Sequence, residues 1–438
     1  MKQSLAQRMA NGGYDGYAYA YPHKTAYRPL VPPLPLAEVW RPEDKGNLFL
    51  YVHLPFCEMR CGFCNLFTTV QPGGTLVNQT LAAIMRQSQA VANAIEPAGI
   101  AQAAFGGGTP SFLSECEIEQ LFHHLSGTWP VQWHKIPVSF EVSPGTITPA
   151  KLALLKGLGV DRISLGVQSF VAEDLVSLKR PQPPGELERA CQFIKSAGFS
   201  VFNVDLIYGN EGQDARRWQC SLDRALEWQP EELYLYPLYV GKLTHLDRSG
   251  KRPGEHRREL YCQARDFLRA AGYRQISMRL FRRADVTRHA DYCCQEDGMV
   301  GLGPGARSYT RSLHYSTEYA VGQTGVKKIV QSFDARSDAS YATADYGAVL
   351  DLEEQKRRYV IKSVLRADGI STAVYHRRFA ASLIHDFPQL HELSELRLTA
   401  DTGEYFRLND EGLASSDTIG PWLYSDAVTA TMEACELA

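Results

Sequence analysis

The stretch PFCEMRCGFCNLF places Cys57, Cys61 and Cys64 within eight residues. Thiolates are ligands for zinc and for the irons of iron–sulfur clusters. On a helix the spacing i, i+4, i+7 would form one buried stripe. Pro55 just before and Gly62 between the second and third cysteines instead favour a loop curled around a bound group. A structural zinc would need a fourth ligand, and His53 is a conceivable one. A cubane cluster held by three thiolates keeps one iron open, and an open coordination position is what metal chemistry requires. Phe56, Phe63 and Phe67 would shield such a group from water and lower the local dielectric.

The surrounding elements decide where this loop sits. LFLYVHL (48–54) is a short β-rich run, and TLAAIMRQSQAVANAI after it has helical periodicity. Five more strand–helix pairs follow: AQAAFGGG with EIEQLFHHL, VSFEVS with PAKLALLKGLG, RISLGVQSF with ELERACQFIKSAG, SVFNVDLIYG with ARRWQCSLDRALEW, and ELYLYPLYV with ELYCQARDFLRAAG. Apolar strands alternating with helices predict an α/β fold, a parallel sheet with right-handed crossovers. Six pairs fall short of a closed eight-fold barrel and predict an open, partial (β/α)6 barrel. Its chemistry belongs at the C-terminal ends of the strands, where the cysteine loop lies.

Residues 1–45, rich in Tyr, Pro and Gly, predict an extended arm around the body; prolines at 29, 32, 33 and 35 forbid a helix or a central strand. Residues 46–315 form the expected barrel domain, and 316–438 a smaller, mainly helical domain. Within the latter, GQTGVKKIVQSFDARSDASYATADYG reads as a connection. A formal charge of −3 gives no reason to expect nucleic acid or an anionic membrane as partner. The N-terminus has no apolar secretion signal, no run is long enough to span a bilayer, and the expected location is the cytoplasm. There thiols stay reduced, so most of the ten cysteines are expected as small core residues. His123, His124 and His245 are expected as ordinary helix or loop residues.

With C-x3-C-x2-C directly after the first strand, the sequence resembles the radical S-adenosylmethionine (SAM) superfamily. That resemblance implies a [4Fe-4S] cluster on Cys57, Cys61 and Cys64, with SAM chelating the open iron. Reductive cleavage would then give a 5′-deoxyadenosyl radical that abstracts hydrogen from a small-molecule substrate. An electron donor such as flavodoxin or ferredoxin is implied as well. YVHLPFC further resembles the oxygen-independent coproporphyrinogen III oxidase group, which includes haem chaperones and radical methyltransferases. On that resemblance Tyr51, the glycine run with Gly107, Gly108 and Thr109, and Glu141, Gln168, Arg180 and Asp205 match SAM-binding positions. Val240 and Arg307 align with weaker, side-chain-independent contacts. In the oxidases the Gln, Arg and Asp positions serve a second SAM, so one or two molecules are implied here.

The chain departs from its relatives at two places. Leu66 stands where the oxidases carry a further cysteine. His289 keeps the spacing of the haem chaperones' histidine, but Cys293 and Cys294 replace the Tyr-Trp pair after it. These two thiols are either space-fillers or pocket groups that donate hydrogen or bind a second metal. The resulting expectation is an oxidoreductase or transferase of porphyrin-related radical chemistry. A haem-binding carrier of the same family is the alternative.

Overall fold

The structure, a computed structural model, describes residues 3–286, 294–400 and 403–436. Six parallel strands form its centre in chain order: β1 (Leu48–Leu54), β2 (Ile100–Gly107), β3 (Val138–Val142), β4 (Arg162–Gln168), β5 (Val201–Tyr208) and β6 (Glu232–Pro237). Each is followed by a covering helix: α1 (Gly74–Ile95), α2 (Glu115–Thr128), α3 (Pro149–Gly157), α4 (Glu186–Ala197), α5 (Ala215–Glu227) and α6 (Arg257–Ala270). This is the expected open (β/α)6 arrangement. Local signals set the helix starts. At α2 the Ser114 hydroxyl accepts from the Glu117 N–H while Glu117 accepts from the Ser114 N–H. At α3 Thr148 caps the end just before Pro149. Each cap contributes about 1 kcal/mol. Packing then locks helix to sheet: the Phe105 ring of β2 lies 4.6 Å from Phe122 on α2 and 5.5 Å from Phe140 on β3.

The sheet is wider than its six central strands. Met299–Leu302 pairs in parallel with β1, and Arg307–Tyr309, Leu313–Ser316 and Thr343–Val349 continue it antiparallel. The proline-rich Arg28–Pro35 closes that edge, where absent N–H groups cost no ladder bonds. Leu280–Arg283 and Tyr273–Gln275 extend the sheet beyond β6, again antiparallel. The stretch expected as a connection after residue 321 is thus corrected. It holds a helix over Gln323–Asp334, burying Val326, Val330 and Phe333, and the strand Thr343–Val349. The helix stripe is visible at i, i+4, i+7, but its polar surroundings mask it. The strand lies between Leu313–Ser316 and Arg28–Pro35, the second more than 300 residues away in the chain.

A second core joins Leu5 and Tyr21 of the arm to Val360, Ile361, Val364, Tyr375 and Leu413. These come from the helical C-terminal part, where a small three-stranded sheet lies among helices. No helix among the described residues is long and apolar enough to cross a membrane.

Candidate functional site

The loop after β1 carries the three cysteines, and backbone bonds hold it from several sides. Gly62 N–H donates to Leu178 O at 2.9 Å, while Leu246 N–H donates to Gly62 O at 2.9 Å. Gln71 N–H reaches Cys57 O at 2.8 Å, and Thr109 N–H reaches Phe56 O at 2.7 Å. From beyond the central strands, Tyr319 Oη donates to Asn65 O at 2.7 Å and Arg60 Nη2 to Val321 O at 2.5 Å. Phe63 packs against Leu178, Ile207 and Leu246. Fixing the loop before any ligand arrives lowers the entropy cost of binding.

Cys57, Cys61 and Cys64 face an open cavity of about 180 Å³ at the C-terminal ends of the strands. The same wall contains Gly108, Thr109, Glu141, Gln168, Arg180 and Asp205. Sequence alone places these residues at the ends of β2 to β5 or on the loops that follow, and the fold brings them together. Tyr51, Gly107, Val240 and Arg307 lie outside that wall. The Tyr51 phenol is 3.3 Å from His53 Nδ1, and burial, then Glu141, push it upward. Val240 packs beside Phe63, and Arg307 Nη1 donates to Tyr19 Oη at 2.8 Å. His289 and Cys293 lie outside the described residues, as does the side chain of Cys294.

The zinc alternative meets an obstacle at His53. Both ring nitrogens are engaged, Nδ1 by Tyr51 and Nε2 by Phe67 O at 3.2 Å, and the ring is buried. Gly107, at φ +111°, lies against this ring so closely that an added Cβ would stand 2.6 Å from its Cε1. Gly107→Ala is therefore expected to cost about 2–4 kcal/mol, from backbone strain and overpacking together. A lower denaturant midpoint checks this.

The donor set suits a cluster. Arg180 Nη1 lies 2.9 Å from Cys61 Sγ, and its Nη2 donates to Gly166 O at 2.7 Å. Its Nε is buried without a hydrogen-bond partner. Thr109 Oγ1 lies 3.6 Å from Cys57 Sγ. Burial pushes the Cys57 thiol up to about 12 and raises Cys64, so a bound cation must displace their protons.

The carboxylates are also primed for a polar ligand. Burial and then Asp205 push Glu141 up to about 7, against the Gly107 N–H and Arg162, which lower it. Burial lifts Asp205 to about 6, opposed by Asn203, Arg162 and Ser164. Glu141 Oε2 accepts from Gly107 N–H at 3.3 Å, and a Cβ on Gly106 would meet this carboxylate at 2.9 Å. Gln168 sits at φ +70° where the β4–β5 register shifts, a strained turn that aims the chain end at the cavity. Sequence reasoning missed Glu58, Ser143, Ser164, Gln182 and Glu186 in the same wall. For Glu58 the signal was its place beside Cys57; the others carry no local pattern.

Comparison with known proteins agrees with this geometry. Residues 51–223 match the family described as the radical SAM superfamily. An oxygen-independent coproporphyrinogen III oxidase of Synechocystis is 26% identical, covering 84% of this chain and 81% of that protein. A heme chaperone, HemW, of Mycobacterium tuberculosis is 31% identical over 59% of this chain and 69% of its own. The solved coproporphyrinogen III oxidase (HemN) of Escherichia coli shares the fold with a TM-score of 0.76. It is 22% identical, and the match covers 94% of this chain and 99% of that one.

Proposed function

Because the chain belongs to the radical SAM superfamily, in the group of oxygen-independent coproporphyrinogen III oxidases and haem chaperones, we propose that it is an enzyme acting on a tetrapyrrole-like small molecule by hydrogen abstraction or methyl transfer. The observation that carries this reading is the single cavity shared by the three thiols, the Arg180 guanidinium and the Glu141 and Asp205 carboxylates. When bound, a [4Fe-4S] cluster would supply one electron for reductive cleavage of SAM.

The chain's own groups have separable tasks. Cys57, Cys61 and Cys64 would hold three irons, and Arg180 would balance thiolate charge at Cys61. Its unpartnered Nε suits a ligand carboxylate. Glu141 and Asp205 would accept hydrogen bonds from ribose hydroxyls. Gln168 would direct its amide into the cavity from the strained turn. A second SAM at Gln168, Arg180 and Asp205 is part of the proposal, and equilibrium binding stoichiometry decides it.

The anaerobically reconstituted, dithionite-reduced protein is expected to release 5′-deoxyadenosine or S-adenosylhomocysteine from SAM. Absence of both would defeat the reading. A second reading, haem carriage, draws support from relatives of similar identity named as heme chaperones. A shifted Soret band on haem titration, without SAM turnover, would favour it.

The acceptor role predicts a pH dependence with a definite sign. Ionised carboxylates accept from ribose hydroxyls, and protonation removes that capacity. Glu141 at about 7 and Asp205 at about 6 are both ionised at pH 8 and largely or half protonated at pH 6. SAM affinity is therefore expected to weaken about tenfold from pH 8 to pH 6. Calorimetric titration across this range checks it, and in Glu141→Gln the dependence should flatten.

A further inference from the structure

The cavity and the outer surface beside it differ in charge. The cavity wall carries Glu58, Glu141, Glu186 and Asp205 against Arg180 alone. Outside, the segment Lys242–Arg252, KLTHLDRSGKR, carries four cations and one carboxylate in a chain whose overall charge is −3. That carboxylate, Asp247, is engaged locally, accepting from Leu243 N–H at 3.0 Å. Lys251 pairs with Glu211. Lys179, Lys242 and Arg248 are exposed and form no ion pair with a described residue.

This basic surface is attached to the cysteine loop itself. Lys179 follows Leu178, whose carbonyl takes the Gly62 N–H, and its Cβ stands 2.7 Å from where a Gly62 Cβ would be. Arg180, the next residue, touches Cys61 Sγ. Leu246, between His245 and Arg248 on one short helical turn, donates its N–H to Gly62 O. Apolar side chains accompany the charges: Leu66 of the loop is 48% exposed and Val176, three residues before Lys179, is 69% exposed. Exposed apolar side chains beside a predominantly basic surface, with Glu173 as an exposed acid one turn before Val176, suit a transient protein encounter steered by electrostatics.

We propose that Lys179, Lys242, Arg248 and Arg252, with Leu66 and Val176, form the docking surface for an acidic one-electron carrier protein. The inference rests on the function proposed above, because it needs a reducible cluster behind Gly62. In the step itself a flavin hydroquinone of the carrier is oxidised to the semiquinone, and the cluster is reduced by that one electron. A carrier seated here approaches the cluster through the Cys61–Cys64 turn, at the edge of the cavity that Leu66 also lines.

The test measures cluster reduction by stopped flow with two reductants: flavodoxin hydroquinone, an acidic protein, and reduced methyl viologen, a small cation. In Lys179→Glu/Lys242→Glu/Arg248→Glu the flavodoxin rate constant is expected to fall at least tenfold and to lose its decline with added salt. The viologen rate should not fall. Lys242→Gln/Arg248→Gln/Arg252→Gln, which leaves the Lys179 packing intact, should give a smaller loss in the same direction. Flavodoxin rates equal to wild type in both variants would overturn the docking surface while leaving the proposed function standing. A wild-type protein whose cluster neither reductant reduces would defeat the function and the surface together.

Discussion

Changing any one of Cys57, Cys61 or Cys64 to serine should leave a folded, colourless protein. Iron should drop from about four per chain to below about one, and 5′-deoxyadenosine should fall to the assay background. The reason is proton displacement. Burial already holds the Cys57 thiol near 12 and raises Cys64, so only strong metal–sulfur bonding ionises them at neutral pH. A serine hydroxyl is far less acidic than a thiol and cannot meet that demand. The fold survives because main-chain bonds anchor the loop, through Gly62, Cys57 O and Phe56 O, and none of these needs a sulfur. Iron analysis, absorbance near the cluster band and far-ultraviolet circular dichroism separate loss of cluster from loss of fold. Cys116→Ser, at an exposed helix position, is the control expected to keep full iron. If a single loop serine retained wild-type iron, that cysteine would not be a ligand.

The six central strands and the cysteine loop were legible because their signals are local. Apolar runs of strand length alternate with periodic helices, and Pro55 and Gly62 mark the loop between them. Strand ends as the place of the chemistry followed from topology, while Glu141, Gln168, Arg180 and Asp205 were singled out by the resemblance to the oxidases, and the fold gathers them in one wall. What escaped is non-local. Arg28–Pro35 becomes a strand by pairing with Thr343–Val349, more than 300 residues further along the chain. Glu58 enters the wall from the cysteine loop and Glu186 from the start of α4, and both approach Gly145 closely enough that a Cβ there would sit 3.1 and 3.3 Å from their carboxylates. Glu58 is flagged by its place beside Cys57, but nothing near Glu186 announces that meeting. Tyr51 and Arg307 show the converse. The resemblance offers both as cofactor contacts; neither is in the cavity lining, and their side chains reach His53 and Tyr19 of the arm. Tyr19 of the arm packs on a specific partner, the Arg307 guanidinium 4.8 Å from its ring.

Arg180 is the residue whose replacement should most sharply divide cluster retention from cofactor binding. Its two terminal nitrogens are committed, one to Gly166 O and one to Cys61 Sγ, and its Nε remains buried and unpaired. An unmade charged hydrogen bond of this kind is worth about 1.5–3 kcal/mol once a carboxylate supplies the acceptor. Arg180→Met is therefore expected to weaken SAM binding by about 10- to 100-fold, with iron content near wild type. Arg180→Lys keeps the charge but loses the planar fork, so it should recover only part of that loss. A purely structural role predicts a different pattern: both variants would lose iron together with SAM affinity, since the Cys61 contact and the Gly166 anchor would fail at once. The discriminating readout is the electron paramagnetic resonance of the reduced cluster. In the wild type SAM should shift the signal at low micromolar concentration, about the range for a tightly held cofactor. In Arg180→Met the same signal should be present without SAM and should shift only at correspondingly higher concentration. An unshifted affinity in that variant would remove Arg180 from the cofactor's contacts and leave it as a brace for the cysteine loop.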